Sequence, residues 1–218
     1  VMAGRADPPL PLARYRGRGT LLEIGADDLR FTLDEAALLL NELVNEQPTI
    51  KDVEALTRRT EGWAVGLRMA ALSMQGTKDV SAFVSHFTGS HRFIMDYLVE
   101  EVLEYQPEEV RRFLLETSLL DAFTAPLCDA VTGGTDSETM LRTLKVANLF
   151  VVPLDNARIW YRYEHLFADL LRHQLERSRT PDDIAELHRR AGRWYQEHEL
   201  PREAIHHSLA ARDWDEAM

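Results

Sequence analysis

Leu149-Phe150-Val151-Val152-Pro153-Leu154, then Asp155-Asn156, then Ile159-Trp160-Tyr161-Arg162-Tyr163: this stretch decides the fold. Both runs are rich in β-branched and aromatic residues, which suit a pleated, half-buried surface, and Asp-Asn between them is turn chemistry. They read as a two-stranded hairpin. Toward the N-terminus three helices precede it. The first carries Val110, Phe113 and Leu114, the second covers residues 125–131 and the third 140–147, with Gly133-Gly134 between the last two. Pro107 suits the first turn of the first helix. After the hairpin a long helix from about His165 puts Leu166, Phe167, Leu170 and Leu171 on one side.

Three helices followed by a two-stranded wing is the order of a winged-helix domain, here residues 107–178. Upstream, residues 32–106 read as an all-helical subdomain. It opens with the capping box Thr32-Leu33-Asp34-Glu35, after which Leu33, Ala36, Leu40, Leu43 and Val44 keep helical spacing. Further helices are expected over 50–60, 63–74 and 80–87, with Gly62 as a break, and then one capped by Ser90 in which Ile94, Leu98 and Val102 recur at four-residue steps. Residues 1–31 differ in character. Pro8-Pro9 forbids a helix or central-strand interior, and the opening residues read as the end of a buried strand whose sheet lies elsewhere. Leu22, Ile24, Leu29 and Phe31 offer one more short strand within 21–31. Downstream, residues 179–218 place Ile184, Leu187, His188, Ala191, Trp194 and Tyr195 at helical intervals. After a break at Leu200-Pro201 come Ala204, Ile205, Ser208 and Leu209, and Trp214 looks like the opening of another helix. Stacked helix pairs need neighbours and a polar cap, so the chain is expected to be a fragment at both ends.

Composition narrows the function. With 45% hydrophobic residues in 218, the chain can bury one sizeable core or two to three small ones. Its apolar runs fall far short of the roughly 20 residues a membrane span needs, and no signal peptide opens it, so a soluble, cytoplasmic protein is expected. The single cysteine, Cys128, fits a reducing compartment and a core position, and no Cys/His spacing suits zinc. A net charge of -11 opposes attraction to DNA. Against that balance, Arg5, Arg14, Arg16 and Arg18 cluster near the start, either as solvated surface or as an anion contact.

Several strings, taken in order, resemble the MalT-like, LuxR-associated large ATP-binding regulators, a branch of the signal-transduction ATPases (STAND class). They are Arg5-Ala6-Asp7-Pro8-Pro9-Leu10-Pro11-Leu12, Thr60-Glu61-Gly62-Trp63, Phe87-Thr88-Gly89-Ser90-His91-Arg92 with Asp96-Tyr97-Leu98-Val99-Glu100-Glu101, Ala147-Asn148-Leu149-Phe150, Tyr161-Arg162-Tyr163 with His165-Leu166-Phe167, and Ala204-Ile205-His206-His207. The resemblance implies an ATPase core, a helical lid, a winged helix, a superhelical sensor and a DNA-binding helix-turn-helix. This chain would hold the end of the core (1–31), the lid (32–106), the winged helix (107–178) and the first helices of a TPR-like superhelix (179–218). The expected fold class is therefore mainly α, with one short β-hairpin. The cofactor implied is ATP or ADP in the full-length protein only, with none held by this segment alone. The partners implied are the core and helix-turn-helix of the same polypeptide, a small-molecule inducer and further copies on activation, without direct DNA or membrane contact.

The resemblance also assigns residues. Arg5 takes the place of a sensor for the terminal phosphate, for which a planar, always-charged guanidinium is suited; a surface arginine is the other reading. Gly62-Trp63-Ala64 takes the place of a Gly-x-Pro that packs on the base, with Ala64 where the family has proline and Trp63 either an aromatic wall or a core residue. After the wing, Glu164 stands where related ATPases put a histidine against the ADP β-phosphate. A carboxylate about 5 Å from a phosphate charge costs roughly 3 kcal/mol at an effective dielectric of about 20, so either His165 takes over or the ADP lock is weakened. No G-x-x-x-x-G-K-[ST] and no strand ending in paired acids is present, so ATP hydrolysis by this chain is not expected. Ser90-His91 and His206-His207 lack a partnered acid or nucleophile elbow. Two other readings compete with a switch segment. A DNA-binding winged helix would have only Arg142 and Lys145 against Asp136 and Glu138, and a stand-alone superhelical scaffold would bind its ligand without the core.

Overall fold

A computed structural model describes residues 2–4, 8, 10–44, 47–77, 79–89 and 91–213. The chain divides into two compact units, Val1–Tyr97 and Leu98–Met218.

In the first unit α1 (Leu12–Gly17) and a 3-10 turn (Asp27–Leu29) precede α2 (Leu33–Leu43), α3 (Ile50–Thr60), α4 (Ala64–Met74) and α5 (Val80–His86), and α6 (Arg92–Leu98) runs up to the division. Local chemistry starts these helices. Thr32 accepts the Glu35 N–H at 3.3 Å while the Glu35 carboxylate accepts the Thr32 N–H at 2.9 Å. Thr49 and Asp52 repeat the device on α3. Each box is worth about 1 kcal/mol. Asp52 also accepts the Ser81 hydroxyl at 3.0 Å, which ties α5 to α3. Leu40, Leu56, Leu67, Ala70 and Met74 are buried where α2, α3 and α4 pack. Arg59 reaches from α3 to carbonyls at the end of α5, donating to Val84 at 3.0 Å, to Ser85 at 3.1 Å and to Phe87.

The strand expected within 21–31 is not there. Leu22 is 86% and Ile24 65% exposed, and residues 27–29 form the 3-10 turn. A lone strand has no ladder to satisfy its amides. Here the Gly25 N–H bonds the Asp28 carboxylate at 2.8 Å and the Phe31 N–H bonds the Gly62 carbonyl at 2.7 Å. The opening is not the end of a buried strand where it is described, for residues 2–4 have no strand and Met2 is 73% exposed. The expectations for Arg5, for the Ser90 cap and for a helix from Trp214 lie outside the described residues. Arg16 has a partner the sequence did not suggest, Glu23 at 2.9 Å.

The second unit begins with one π-helical turn (Val99–Leu103), closed by Glu104 N–H to Val99 O at 2.9 Å. Then come α7 (Glu108–Thr117), α8 (Ala125–Thr132), α9 (Ser137–Val146), β1 (Val151–Pro153), β2 (Tyr161–Tyr163), α10 (His165–Ser178), α11 (Pro181–Glu197) and α12 (Pro201–Ala210). The strands pair antiparallel, with Val151 opposite Tyr163 and Pro153 opposite Tyr161. On the other side of β2, Phe123 adds a bridge to Tyr161, exchanging both backbone bonds at 2.8 and 2.9 Å. So the wing is the expected two-stranded hairpin, flanked by one isolated bridge. The Asp155 carboxylate closes its loop by accepting the Ile159 and Trp160 amides at 3.0 and 2.8 Å, and those backbone bonds hold its pKa below the usual value.

Phe123, Leu127, Cys128, Leu144, Tyr163, Phe167 and Leu171 form the core of this unit. The Phe123 and Tyr163 rings lie 4.7 Å apart. Burial pushes the Cys128 thiol well above its ordinary pKa, so it is an inert core group. The Tyr163 hydroxyl, fully enclosed, is 2.7 Å from Thr117 Oγ1. A capping box at Thr180 and Asp183 starts α11. α12 packs on α11 at Gly192, where even a Cβ would make only ordinary contact with Ser208 Oγ and the Ala204 carbonyl, at 3.5 and 3.6 Å. The helix pair rests on the rest of the unit, with Tyr195 donating to the Ala122 carbonyl at 3.2 Å and Arg190 to that of Val131 at 3.3 Å. Among the described residues, no helix is long and apolar enough to cross a membrane.

Candidate functional site

The turn between α3 and α4 is built by two left-handed residues, Glu61 (φ 51°) and Gly62 (φ 73°). That reversal brings both of their amides to the Thr57 carbonyl, Gly62 at 3.1 Å. It also brings Gly62 against the chain entering α2. A Cβ on Gly62 would lie 2.6 Å from the Phe31 carbonyl oxygen and 3.1 Å from the Phe31 nitrogen, so only glycine fits without displacement. Arg30 adds a second stitch, donating to the Glu61 carbonyl at 2.6 Å and to Asp27 at 3.2 Å. Residues 30–31 and 61–62 thus form one rigid corner.

Beside that corner lies a recess of about 500 Å³ walled by Arg30, Phe31, Leu33, Glu54, Thr57, Arg58, Glu61 and Gly62. The Thr57 Oγ1 is buried with no hydrogen-bond partner among the described residues. A buried, unmade hydrogen bond costs about 1–3 kcal/mol. The walls offer an aromatic ring, an aliphatic side chain, two guanidinium groups and the carboxylates of Glu54 and Glu61. Apolar surface beside both donors and acceptors can meet a flat ring with polar edges.

The sequence-assigned residues divide around this recess. Gly62 lines it. Trp63 is the N-cap of α4 and packs half-buried on Tyr97, ring centroids 5.8 Å apart, rather than on the recess walls. Ala64 is the first residue of α4 and half-buried. His165 and Glu164 belong to the second unit. Glu164 is the N-cap of α10, its N–H held by the Phe150 carbonyl at 2.9 Å, and His165 is the exposed first residue of that helix. The turn that supplies this carbonyl is itself unusual, with Asn148 and Phe150 both at positive φ and the Phe150 ring tilted against that of Phe167, centroids 5.0 Å apart. The start of a helix favours negative charge, which a carboxylate on the N-cap residue supplies. Arg30, Phe31 and Thr57 were not foreseen. The one signal for them was the glycine, since a left-handed corner needs some neighbour to crowd it.

With this geometry in view, comparison with known proteins is informative. Residues 99–183 match the MalT winged helix domain. Nearly the whole chain is similar to one segment of much longer proteins. It is 39% identical over 204 residues to the serine/threonine-protein kinase PknK of Mycobacterium tuberculosis (strain H37Rv), covering 94% of this chain and 18% of PknK. It is 34% identical over 217 residues to the HTH-type transcriptional regulator MalT of Vibrio cholerae, covering 98% of this chain and 24% of that protein, and equally identical to MalT of Klebsiella pneumoniae (strain MGH 78578). The chain spans about a quarter or less of the length of these relatives.

Proposed function

We propose, from the premise that this chain carries a MalT-type winged helix within a segment common to MalT regulators and PknK, that it is the central regulatory segment of an ATP-dependent bacterial transcriptional activator. In this reading it couples nucleotide state and inducer binding to oligomerisation, in the cytoplasm, and performs no catalysis by itself. The observation that carries the reading is the sharing itself. A protein named as a kinase and proteins named as HTH-type regulators have this segment in common over 94–98% of its length. What a kinase and a transcription regulator can both use is neither the phosphotransfer site nor the DNA-reading helix but a module that changes state when a signal binds.

The residues then take these roles. Gly62 fixes the corner beside the base, with Phe31 as the apolar face. Bound ATP or ADP supplies the difference in charge and contacts between a triphosphate and a diphosphate state. In the longer polypeptide, with Glu164 where related ATPases place a histidine, ADP is held less tightly than with histidine at that position. The test is made in the longer polypeptide that contains this chain. Glu164→His should slow dissociation of a fluorescent ADP in stopped flow and delay the ATP-dependent shift in sedimentation. Unchanged ADP dissociation together with nucleotide-independent sedimentation would overturn the reading.

A second reading, a ligand- or protein-binding scaffold, rests on α12, where Ile205 and Leu209 are exposed one turn apart. It requires the isolated chain to bind inducer, which the switch reading does not.

A further inference from the structure

The loop of the wing adds a charge to α9 that the linear sequence does not place there. Arg158, at φ 55°, joins Arg142 and Lys145 around a cleft of about 420 Å³ whose apolar walls include Pro126, Leu141 and Ile159. The cleft is organised by Tyr161. Lys145 Nζ donates to its hydroxyl at 3.1 Å and lies 5.0 Å from its ring centre, and the hydroxyl in turn donates to the Arg158 carbonyl. These contacts hold the Lys145 ammonium and the backbone of Arg158 at one edge of the cleft. The one acidic wall, Glu138, is 3.5 Å from Arg142. Neither Lys145 nor Arg158 has a carboxylate within ion-pair distance among the described residues.

We propose that this cleft docks an acidic protein segment, one that brings carboxylates to Lys145 and Arg158 and an apolar side chain to Ile159. Three cations against one carboxylate leave the cleft at +2 on a chain whose net charge is -11, so the patch is a local exception to the surface around it. Charge complementarity therefore selects an anionic partner. Nucleic acid fits less well. Two uncompensated cations neutralise few phosphates, the net charge repels a polyanion, and Ile159, 57% exposed at the cleft, has no role against a phosphate backbone. An apolar anchor inside a charged rim is instead the anatomy of a protein interface.

The test uses the 218-residue chain and fluorescence anisotropy of a labelled peptide of repeated Asp-Glu-Leu units, with a labelled DNA duplex as the second arm. The peptide should bind, more weakly as salt rises, and Arg142→Glu/Arg158→Glu should weaken it by about tenfold, or about 1.4 kcal/mol. Lys145→Gln should weaken it by a smaller factor. Arg177→Glu, an exposed cation on α10, should leave it unchanged, which separates the cleft from net charge. Circular dichroism confirms that each variant is folded. No peptide binding, equal loss with Arg177→Glu, or tighter cleft-dependent binding of the duplex overturns the proposal.

Discussion

Gly62→Ala is the substitution that most directly tests the corner on which the candidate site depends. Two costs add. An L-residue at φ 73° loses roughly 1–2 kcal/mol relative to glycine. The new Cβ would also stand 2.6 Å from the Phe31 carbonyl oxygen, which is backbone and cannot rotate away, so the 30–31 segment must move and lengthen the 2.7 Å bond from the Phe31 N–H to the Gly62 carbonyl. Losing that bond is worth about 1 kcal/mol, and the total comes to about 2–3 kcal/mol. Gly76 provides the control, because it has φ 81° but nothing within 4 Å of its would-be Cβ. Gly76→Ala carries only the conformational cost, offset by up to about 1 kcal/mol through a stiffer unfolded chain. Urea unfolding monitored by circular dichroism reads the difference. The expected result is Gly62→Ala less stable than Gly76→Ala by at least about 1 kcal/mol. Equal stabilities would mean that residues 31 and 62 are not in contact, and the recess beside them would lose its wall.

Two further outcomes follow from the second unit. His188 and His207 share a hydrogen bond, Nδ1 to Nδ1 at 2.8 Å, and their pKa values are lowered to about 4 and about 3, first by burial and then by repulsion, from His206 on His188 and from His188 and His206 on His207. Both lie below the usual 6.5, so the folded state binds fewer protons than the unfolded one; stability should be level above about pH 6.5 and fall as pH drops toward 4. Urea midpoints at pH 7.5 and 5 should show that fall, and His188→Gln should reduce it. At the Tyr163–Thr117 bond, Tyr163→Phe should cost about 1 kcal/mol because Thr117 keeps its bond to the Phe113 carbonyl, whereas Thr117→Val strands the buried phenol and should cost more, up to about 3 kcal/mol, by the same measurement.

What was legible in the sequence was what local chemistry dictates. Thr32 with Glu35 announced α2, Gly133 ended α8 in the left-handed conformation, and the β-rich runs around Asp155-Asn156 gave the hairpin its two strands. What was not legible depended on distant partners. Phe123 joins the wing by pairing with Tyr161, a bridge between residues 38 positions apart, and nothing around Leu120 to Thr124 marks a strand. Leu22 and Ile24 misled for the converse reason, having the alternation of a strand without any neighbour to pair with. The same limit applies to the sites. Gly62 could be read as a break, but its contact with Phe31 could not, and Arg158 could not be counted with Arg142 and Lys145 until the loop fold brought it round.

The packing of α11 bears on how a signal could travel. If the first helix pair were a flexible appendage, a change in it would be lost before reaching the winged helix. Instead Tyr195 and Arg190 donate to the carbonyls of Ala122 and Val131, one just before α8 and the other in its last turn, and α11 packs along α8 between them. Ala122 is the residue next to Phe123, which bridges to β2 of the wing. A rotation of α11 therefore cannot occur without straining Ala122 or breaking its bond to Tyr195, and Phe123 would pass any shift to β2 through two backbone hydrogen bonds. In a switch of the proposed kind, coupling needs an element with two discrete arrangements. The short path from Tyr195 to Tyr161 is a chain of fixed contacts, so it can transmit a state but not store one.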